Sequence, residues 1–178
     1  MRIIRGKYQR RQILPPTNLP VRPTTDMAKE SLFNILENTL DFEEVEALDL
    51  FTGTGNIAFE LASRGCISVL AIEQDKVCFQ FVKNTVTQLK MDNLTVLRMD
   101  VFKFLPGTRQ QFDLIFADPP YDSSHYELLA DLILNSELLK PEGILVIEHP
   151  TTVDFSGNAA FTELRKYGRV HFSFFSKA

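Results

Sequence analysis

The feature that most restricts the fold of this 178-residue chain is an alternation of two periodicities. Short apolar runs at 45–51, 68–73, 94–100, 112–118 and 143–149 have strand length and composition. Segments of helical character at 55–64, 75–90 and 124–139, with a shorter one near 101–105, separate them. Strand–helix alternation builds βαβ units, whose parallel strands are covered on both faces. Ahead of the first run, Ala28, Leu32, Ile35, Leu36 and Leu40 recur at helical spacing and predict an amphipathic helix over 27–40. Thr25 or Asp26 is available as its N-cap. The end of the chain breaks the pattern: 161–167 and 170–176 flank Gly168-Arg169 and read as a hairpin. The expectation is an α/β domain with a mostly parallel seven-stranded sheet that closes in an antiparallel hairpin.

With 44% hydrophobic and 24% charged residues the chain is neither disordered nor collagen-like. No apolar run approaches the roughly 18 residues of a membrane span, and the basic opening does not read as a signal peptide. Cys66 and Cys78 are too few and too irregularly placed for a disulfide framework or a zinc site. A cytoplasmic, monomeric protein with no membrane partner is expected.

Charge is unevenly placed. Residues 1–25 carry Arg2, Arg5, Lys7, Arg10, Arg11 and Arg22 and no acidic residue. Of the chain's 19 basic and 23 acidic residues, 13 and 23 remain for 26–178, so a +6 arm precedes a −10 body. A basic arm on an acidic body suits docking on a polyanion, and a merely solvated tail is the plainer alternative. The division expected is a basic extension over 1–25 that contacts nucleic acid and a domain over 26–178.

The first strand runs through Asp49 into Phe51-Thr52-Gly53-Thr54-Gly55 and then a helix. Glycines there allow a sharp turn and a close approach to a ligand, with the helix N-terminus offering N–H donors. Glu73, 20 residues after Gly53, ends the second strand, where a carboxylate accepts from a ribose diol. The spacing Gly53-x-Gly55-x-x-Ala58 also satisfies a dinucleotide fingerprint. Asp49 inside the strand, however, suits a cationic aminoacyl group better than a pyrophosphate. S-adenosylmethionine is therefore the favoured ligand, with a dinucleotide or a turn without ligand as alternatives. Asp100 ends the third strand, placed to accept from an adenine amine while Val101 or Phe102 packs on the ring; a helix cap is its plainer role.

The fourth strand runs straight into Asp118-Pro119-Pro120-Tyr121. Two prolines stiffen the turn and leave carbonyls free. The Asp118 carboxylate and the Pro119 carbonyl then form a pair of acceptors that can fix a planar amino group, and Tyr121 can stack on the ring that carries it. Other chemistry finds no support. His125, His149 and His171 lie scattered, so no metal is expected, and neither a P-loop lysine nor a nucleophile-elbow serine is present.

These residues together resemble the RsmD-type guanine-N2 methyltransferases of 16S ribosomal RNA over nearly the whole chain. The likeness is carried by Arg2-Ile-Ile-Arg-Gly-Lys7, Arg22-Pro-Thr-Thr-Asp26 with Glu30-Ser-Leu-Phe-Asn34, Asp49 to Gly55, Ile72-Glu73, Asp118 to Tyr121 and Tyr167-Gly168. Arg5 stands where that family usually has Gly. The resemblance implies a Rossmann-like class I methyltransferase fold and S-adenosylmethionine as cofactor. It implies cofactor contacts from Asp49, Phe51, Gly53, Gly55, Glu73, Asp100 and Val101. Asp118, Pro119 and Tyr121 would hold a flipped guanine, and Arg2, Arg5, Lys7, Arg10, Arg11 and Arg22 would face RNA phosphate. The implied partner is 16S RNA, naked or within an assembled or partly assembled small subunit. An adenine-N6 methyltransferase and a non-catalytic RNA-binding assembly factor are the rival readings.

Overall fold

A computed structural model describes residues 1–16, 24–120 and 125–177. The elements in chain order are α1 (Asp26–Leu36), β1 (Glu46–Leu50), α2 (Asn56–Ser63), β2 (Ser68–Glu73), α3 (Lys76–Leu89), β3 (Leu94–Arg98), α4 (Val101–Phe104), β4 (Phe112–Ala117), α5 (Tyr126–Leu134), β5 (Leu139–His149), β6 (Phe161–Tyr167) and β7 (Val170–Ser176). One seven-stranded sheet has the order β3-β2-β1-β4-β5-β7-β6. The first five of these run parallel, and β7 inserts antiparallel between β5 and β6. The expected architecture is therefore present, with the hairpin occupying one edge. Strand order reverses between β1 and β4, the switch point outside which open α/β sheets bind ligands.

Element ends depart from the sequence pattern where local chemistry intervenes. The first helix stops at Leu36, although Leu40 N–H still bonds Leu36 O at 2.8 Å in a turn. Thr25, rather than Asp26, is its cap, accepting from Ala28 N–H. The segment expected as helix to 139 gives up at Leu134, and β5 begins at Leu139 instead of 143. Pro141 has no N–H and Glu142 takes φ 61, so the β4–β5 register slips between Phe112 and Leu114 and resumes at Leu114↔Ile144. The third strand ends at Arg98 because Asp100 is the N-cap of α4.

Period-two alternation splits the buried side chains into two cores. Ala47, Phe116 and Val146 face a layer with Leu32, Phe33, Phe59 and Val82 from α1, α2 and α3. Leu48, Leu50, Ile115 and Ile147 face Phe104, Leu129 and Ile133 from α4 and α5.

The basic arm is not a free tail. Arg2 and Gln12 form an antiparallel bridge, Ile3 N–H bonds Arg11 O at 3.0 Å, and Ile3 and Ile13 are buried against the first core. This small hairpin lies along α2. Thr54 Oγ1, just ahead of α2, donates to Met1 Sδ at 3.5 Å, and Lys7 N–H bonds Ser63 O at the far end at 2.8 Å. Gly6 makes that contact possible: at φ 88, a Cβ on it would sit 1.8 Å from Ser63 O.

Candidate active site

Strand alternation turns Asp49, Asp118 and Glu148 to one face of the sheet. Their neighbours Leu48, Leu50, Ala117 and Ile147 all point into the opposite core. Ala117 pairs with Ile147, so Asp118 and Glu148 follow one residue later on adjacent chains, and Asp49 lies on the next strand beside them. Three carboxylates thus converge at the C-terminal strand ends, next to the switch point.

Asp49 is fully buried, and its Oδ2 accepts from Thr52 Oγ1 and from Ala58 N–H at 3.1 Å. Burial pushes its carboxyl up to about 7, against the pull of those two donors and with a further push from Glu73. Oδ2 therefore ties the glycine-rich turn to α2. The turn itself is tightly wound: Phe51, Gly53 and Gly55 have φ of 60, 54 and 79. A Cβ on Gly55 would lie 2.7 Å from the Phe59 ring, so packing as well as backbone conformation requires glycine there.

Glu73 is buried at the end of β2. Its Oε2 accepts from Gly53 N–H and its Oε1 from Asp75 N–H, both at 2.7 Å. Burial raises its carboxyl above the usual range. Each oxygen keeps a second lone pair for a diol. Asp100 caps α4, with Oδ1 accepting from Lys103 N–H at 3.0 Å, the plainer role foreseen for it. Val101 is buried behind it, and Phe102 lies edge-on to Phe51 with centroids 6.2 Å apart and tilted against His125 at 5.5 Å. Phe51, Gly53, Gly55, Glu73, Asp100 and Val101 thus occupy consecutive strand tips with Asp49. A wall of aromatic edges and acidic acceptors fits an adenosine with a cationic tail.

Asp118 is half-buried, and its N–H reaches Leu50 O at 3.3 Å. Burial, then the neighbouring Glu148 and Asp49 charges, hold its carboxyl well above the usual carboxylate range. Pro119 is buried. The carbonyls of Pro119 and Pro120 are not left free, since the Tyr126 hydroxyl donates towards them at 3.5 and 3.4 Å. The cause is that α5 opens with Tyr126 packed under the turn. A second lone pair on each carbonyl remains. Tyr121 and Arg22 lie outside the described residues.

Several residues with a place in the site were not anticipated. Glu148 is buried and accepts from Thr24 Oγ1 at 2.7 Å, and burial pushes it up to about 7. Lys29 is buried on α1; its Nζ donates to Arg2 O at 2.6 Å and Asn56 Oδ1 at 2.8 Å, and lies 3.6 Å from Glu60. Asn56 in turn donates to Thr24 O at 2.9 Å. The N-terminal segment is thereby bolted to the first turn of α2. Lys29 was detectable, because it shares the spacing of Leu32, Phe33 and Leu36; Glu148 carried no comparable signal within its apolar strand. His149 does not line the cleft: it is buried, bonds Ser173 Oγ at 2.7 Å and Pro150 O at 3.0 Å, and burial lowers its pKa.

The arm's cations are spread along the domain. Arg2 pairs with Asp26 at 3.1 Å near the strand tips. Arg5 pairs with Glu37 at 2.7 Å, and Lys7 lies beside Ser63, one α2 length or about 12 Å further down. Lys7, Arg10 and Arg11 are exposed. Arg5 is not among the residues with positive φ, so an arginine is conformationally as acceptable there as glycine. Among the described residues, no group of acidic, His or Cys side chains is suited to hold a metal, and no helix is long and apolar enough to cross a membrane.

The fold and the relatives that share it define the class: an S-adenosylmethionine-dependent methyltransferase. The family model described as conserved hypothetical protein 95 matches residues 1–176, and the chain belongs to that family, the RsmD-type family. The ribosomal RNA small subunit methyltransferase D of Buchnera aphidicola subsp. Baizongia pistaciae is 28% identical, with 98% of this chain and 91% of that protein aligned. The solved structure of Escherichia coli yhhF superposes with a TM-score of 0.88 at 26% identity, covering 99% of this chain and 97% of that one. SMU.776, solved in complex with SAH, shares the fold at a TM-score of 0.69 and 16% identity, over 84% of this chain and 49% of its own.

Proposed function

We propose that this protein methylates the exocyclic N2 amine of a guanine in bacterial 16S ribosomal RNA, by direct in-line transfer to a flipped base. The name of the Buchnera relative supports ribosomal RNA as the substrate. The observation that carries the reading is Asp118: a half-exposed carboxylate at a strand tip, on the same face as Asp49 and beside a proline carbonyl.

S-adenosylmethionine, when bound, supplies an electrophilic methyl on a sulfonium, which the amine nitrogen attacks as the carbon–sulfur bond breaks. Asp49 Oδ1 offers a counter-charge to the aminoacyl cation, Glu73 accepts from the ribose hydroxyls, and Asp100 accepts from the adenine amine. Asp118 and the Pro119 carbonyl hold both N–H bonds of the target amine. That stops rotation and lets the nitrogen lone pair leave conjugation with the ring. The amine becomes acidic only once alkylated, and the raised proton affinity of Asp118 suits it to take the proton then. Tyr121 stacks on the base, and Arg2, Arg5, Lys7, Arg10, Arg11 and Arg22 meet RNA phosphates.

The test is transfer of a labelled methyl to small subunits lacking the modification, followed by nucleoside digestion. Labelled N2-methylguanosine is expected, and N6-methyladenosine would overturn the substrate. Asp118→Ala should abolish transfer while SAH affinity stays within a few fold; a large affinity loss would place Asp118 with the cofactor instead.

A further inference from the structure

We infer that Glu148 determines base specificity by accepting the N1–H of the target guanine while Asp118 holds the adjacent N2 amine. This rests on the base-methylating reading above. Three observations lead to it.

Glu148 is next to Asp118. Their strands pair at Ala117↔Ile147, both side chains leave the sheet on the same face, and each lies within electrostatic reach of the other. Asp118 is the half-exposed member and Glu148 the buried one. A base whose amine meets Asp118 therefore presents its neighbouring ring atom to the carboxylate behind.

Glu148 also lacks what a structural carboxylate has. It is 2% exposed, yet among the described residues it accepts one hydrogen bond, from Thr24 to Oε2, and makes no ion pair. Glu60, equally buried, receives Ile4 and Arg5 N–H on its two oxygens, an ion pair from Arg64 and the approach of Lys29. Arg64 Nη2 is the one sealed side-chain polar atom without a partner among the described residues, so Glu148 Oε1, which receives no protein donor, is open to one from outside. Oε1 of Glu148 is the acceptor awaiting one.

Nucleobase chemistry then selects the donor. Guanine presents an amine (N2) flanked by a ring N–H (N1), two donors side by side. Adenine and cytosine present an amine flanked by a ring nitrogen with a lone pair. In their ionised form two adjacent carboxyl groups match the guanine edge and repel the other two, and guanine's two donors favour that form against the burial that raises both groups. A site built to hydrogen-bond a donor strongly rejects analogues that lack it, because its own acceptor is left buried and unpaired.

The discriminating substrate is 2-aminopurine, which keeps the 2-amine but carries a lone pair at N1. Wild-type protein would first be used to map the labelled guanine in small subunits. Subunits rebuilt with guanosine or 2-aminopurine at that position are then compared. Wild type should methylate guanosine about 100-fold faster. Glu148→Gln, whose carbonyl still accepts from Thr24, should lose about 100-fold on guanosine, with SAH affinity unchanged, and discriminate the two bases less than about tenfold. Glu148→Asp, which keeps the charge, should retain the preference at a lower rate. Equal wild-type rates on the two bases, or an undiminished preference in Glu148→Gln, would overturn the assignment even with guanine methylation established. The wild-type comparison needs no variant to fold. Absence of any labelled guanine from the wild-type reaction would refute the parent reading and this one with it.

Discussion

Replacing Lys29 by Met tests how the N-terminal segment is held to the site. Methionine keeps the length and apolar stem of the lysine but removes the ammonium, so the variant isolates the polar contacts. The two bonds lost are those to Arg2 O at 2.6 Å and to Asn56 Oδ1 at 2.8 Å, along with the 3.6 Å approach to Glu60. Hydrogen bonds from a charged donor contribute about 1.5–3 kcal/mol each. Glu60 does not become an orphan charge, because Arg64 Nε at 2.8 Å and the N–H groups of Ile4 and Arg5 remain. The loss therefore falls below that of breaking an isolated buried pair, and it is offset by the removed desolvation of the ammonium, which already lowers the Lys29 pKa. The balance is about 3 kcal/mol. With a urea m-value of about 2 kcal/mol/M, the midpoint should fall by about 1.5 M at unchanged slope. Because Asn56 and Arg2 lose their common anchor, amide exchange over residues 1–13 should quicken more than in β1 or β4. A midpoint shift under about 0.3 M would refute the reasoning, since stem packing alone would then account for the site.

The pH dependence of cofactor binding follows from Asp49. Its folded carboxyl is raised from 3.8 to about 7, so the folded protein holds an extra proton between those values; the stability this contributes is present below 3.8 and disappears as pH rises through 7. A cationic ligand group favours the ionised form, so SAH affinity measured by calorimetry should improve about tenfold from pH 6 to pH 8. Asp49→Asn should bind weakly with no such rise; a flat wild-type profile would remove Asp49 from the cofactor. Gly6→Ala places a Cβ 1.8 Å from Ser63 O at φ +88 and should cost about 2 kcal/mol. The arm should detach, and trypsin should cleave at Lys7 and Arg10 sooner than in wild type; unchanged cleavage would mean the arm is already loose.

The parallel core and the closing hairpin were legible because each strand is a short apolar run and each turn carries its own signal, Gly53-Thr-Gly55 and Gly168-Arg169 being the clearest. The placement of Asp49, Glu73 and Asp118 at the ends of apolar strands was legible from the same runs, whereas Asp100 turned out to have the ordinary use of an acid at a strand end, the cap of the next helix. What stayed hidden involves partners distant in sequence. Glu148 reads as one more strand residue until Thr24, 124 positions away, is found bonded to it. Lys29 shares the spacing of the buried Leu32, Phe33 and Leu36, but the partners that accept its ammonium, Asn56 and the Arg2 carbonyl, come from other segments. The free carbonyls expected of the Pro119-Pro120 turn were likewise met by a tyrosine that only α5 could bring underneath.

By itself the sequence determined which segments are strands, which edge of the sheet carries acidic groups and where the backbone turns sharply. These follow from residue-by-residue preferences: apolar periodicity, glycine at positive φ, proline without its N–H. The tertiary structure decided how those carboxylates are grouped and how strongly each holds a proton, because desolvation and neighbouring charge depend on what is packed above them. It also decided the path of the basic arm. Charge counting sets the sign of the arm; only the fit of Gly6 against Ser63 and of Ile3 and Ile13 into the core fixes its cations along the length of α2.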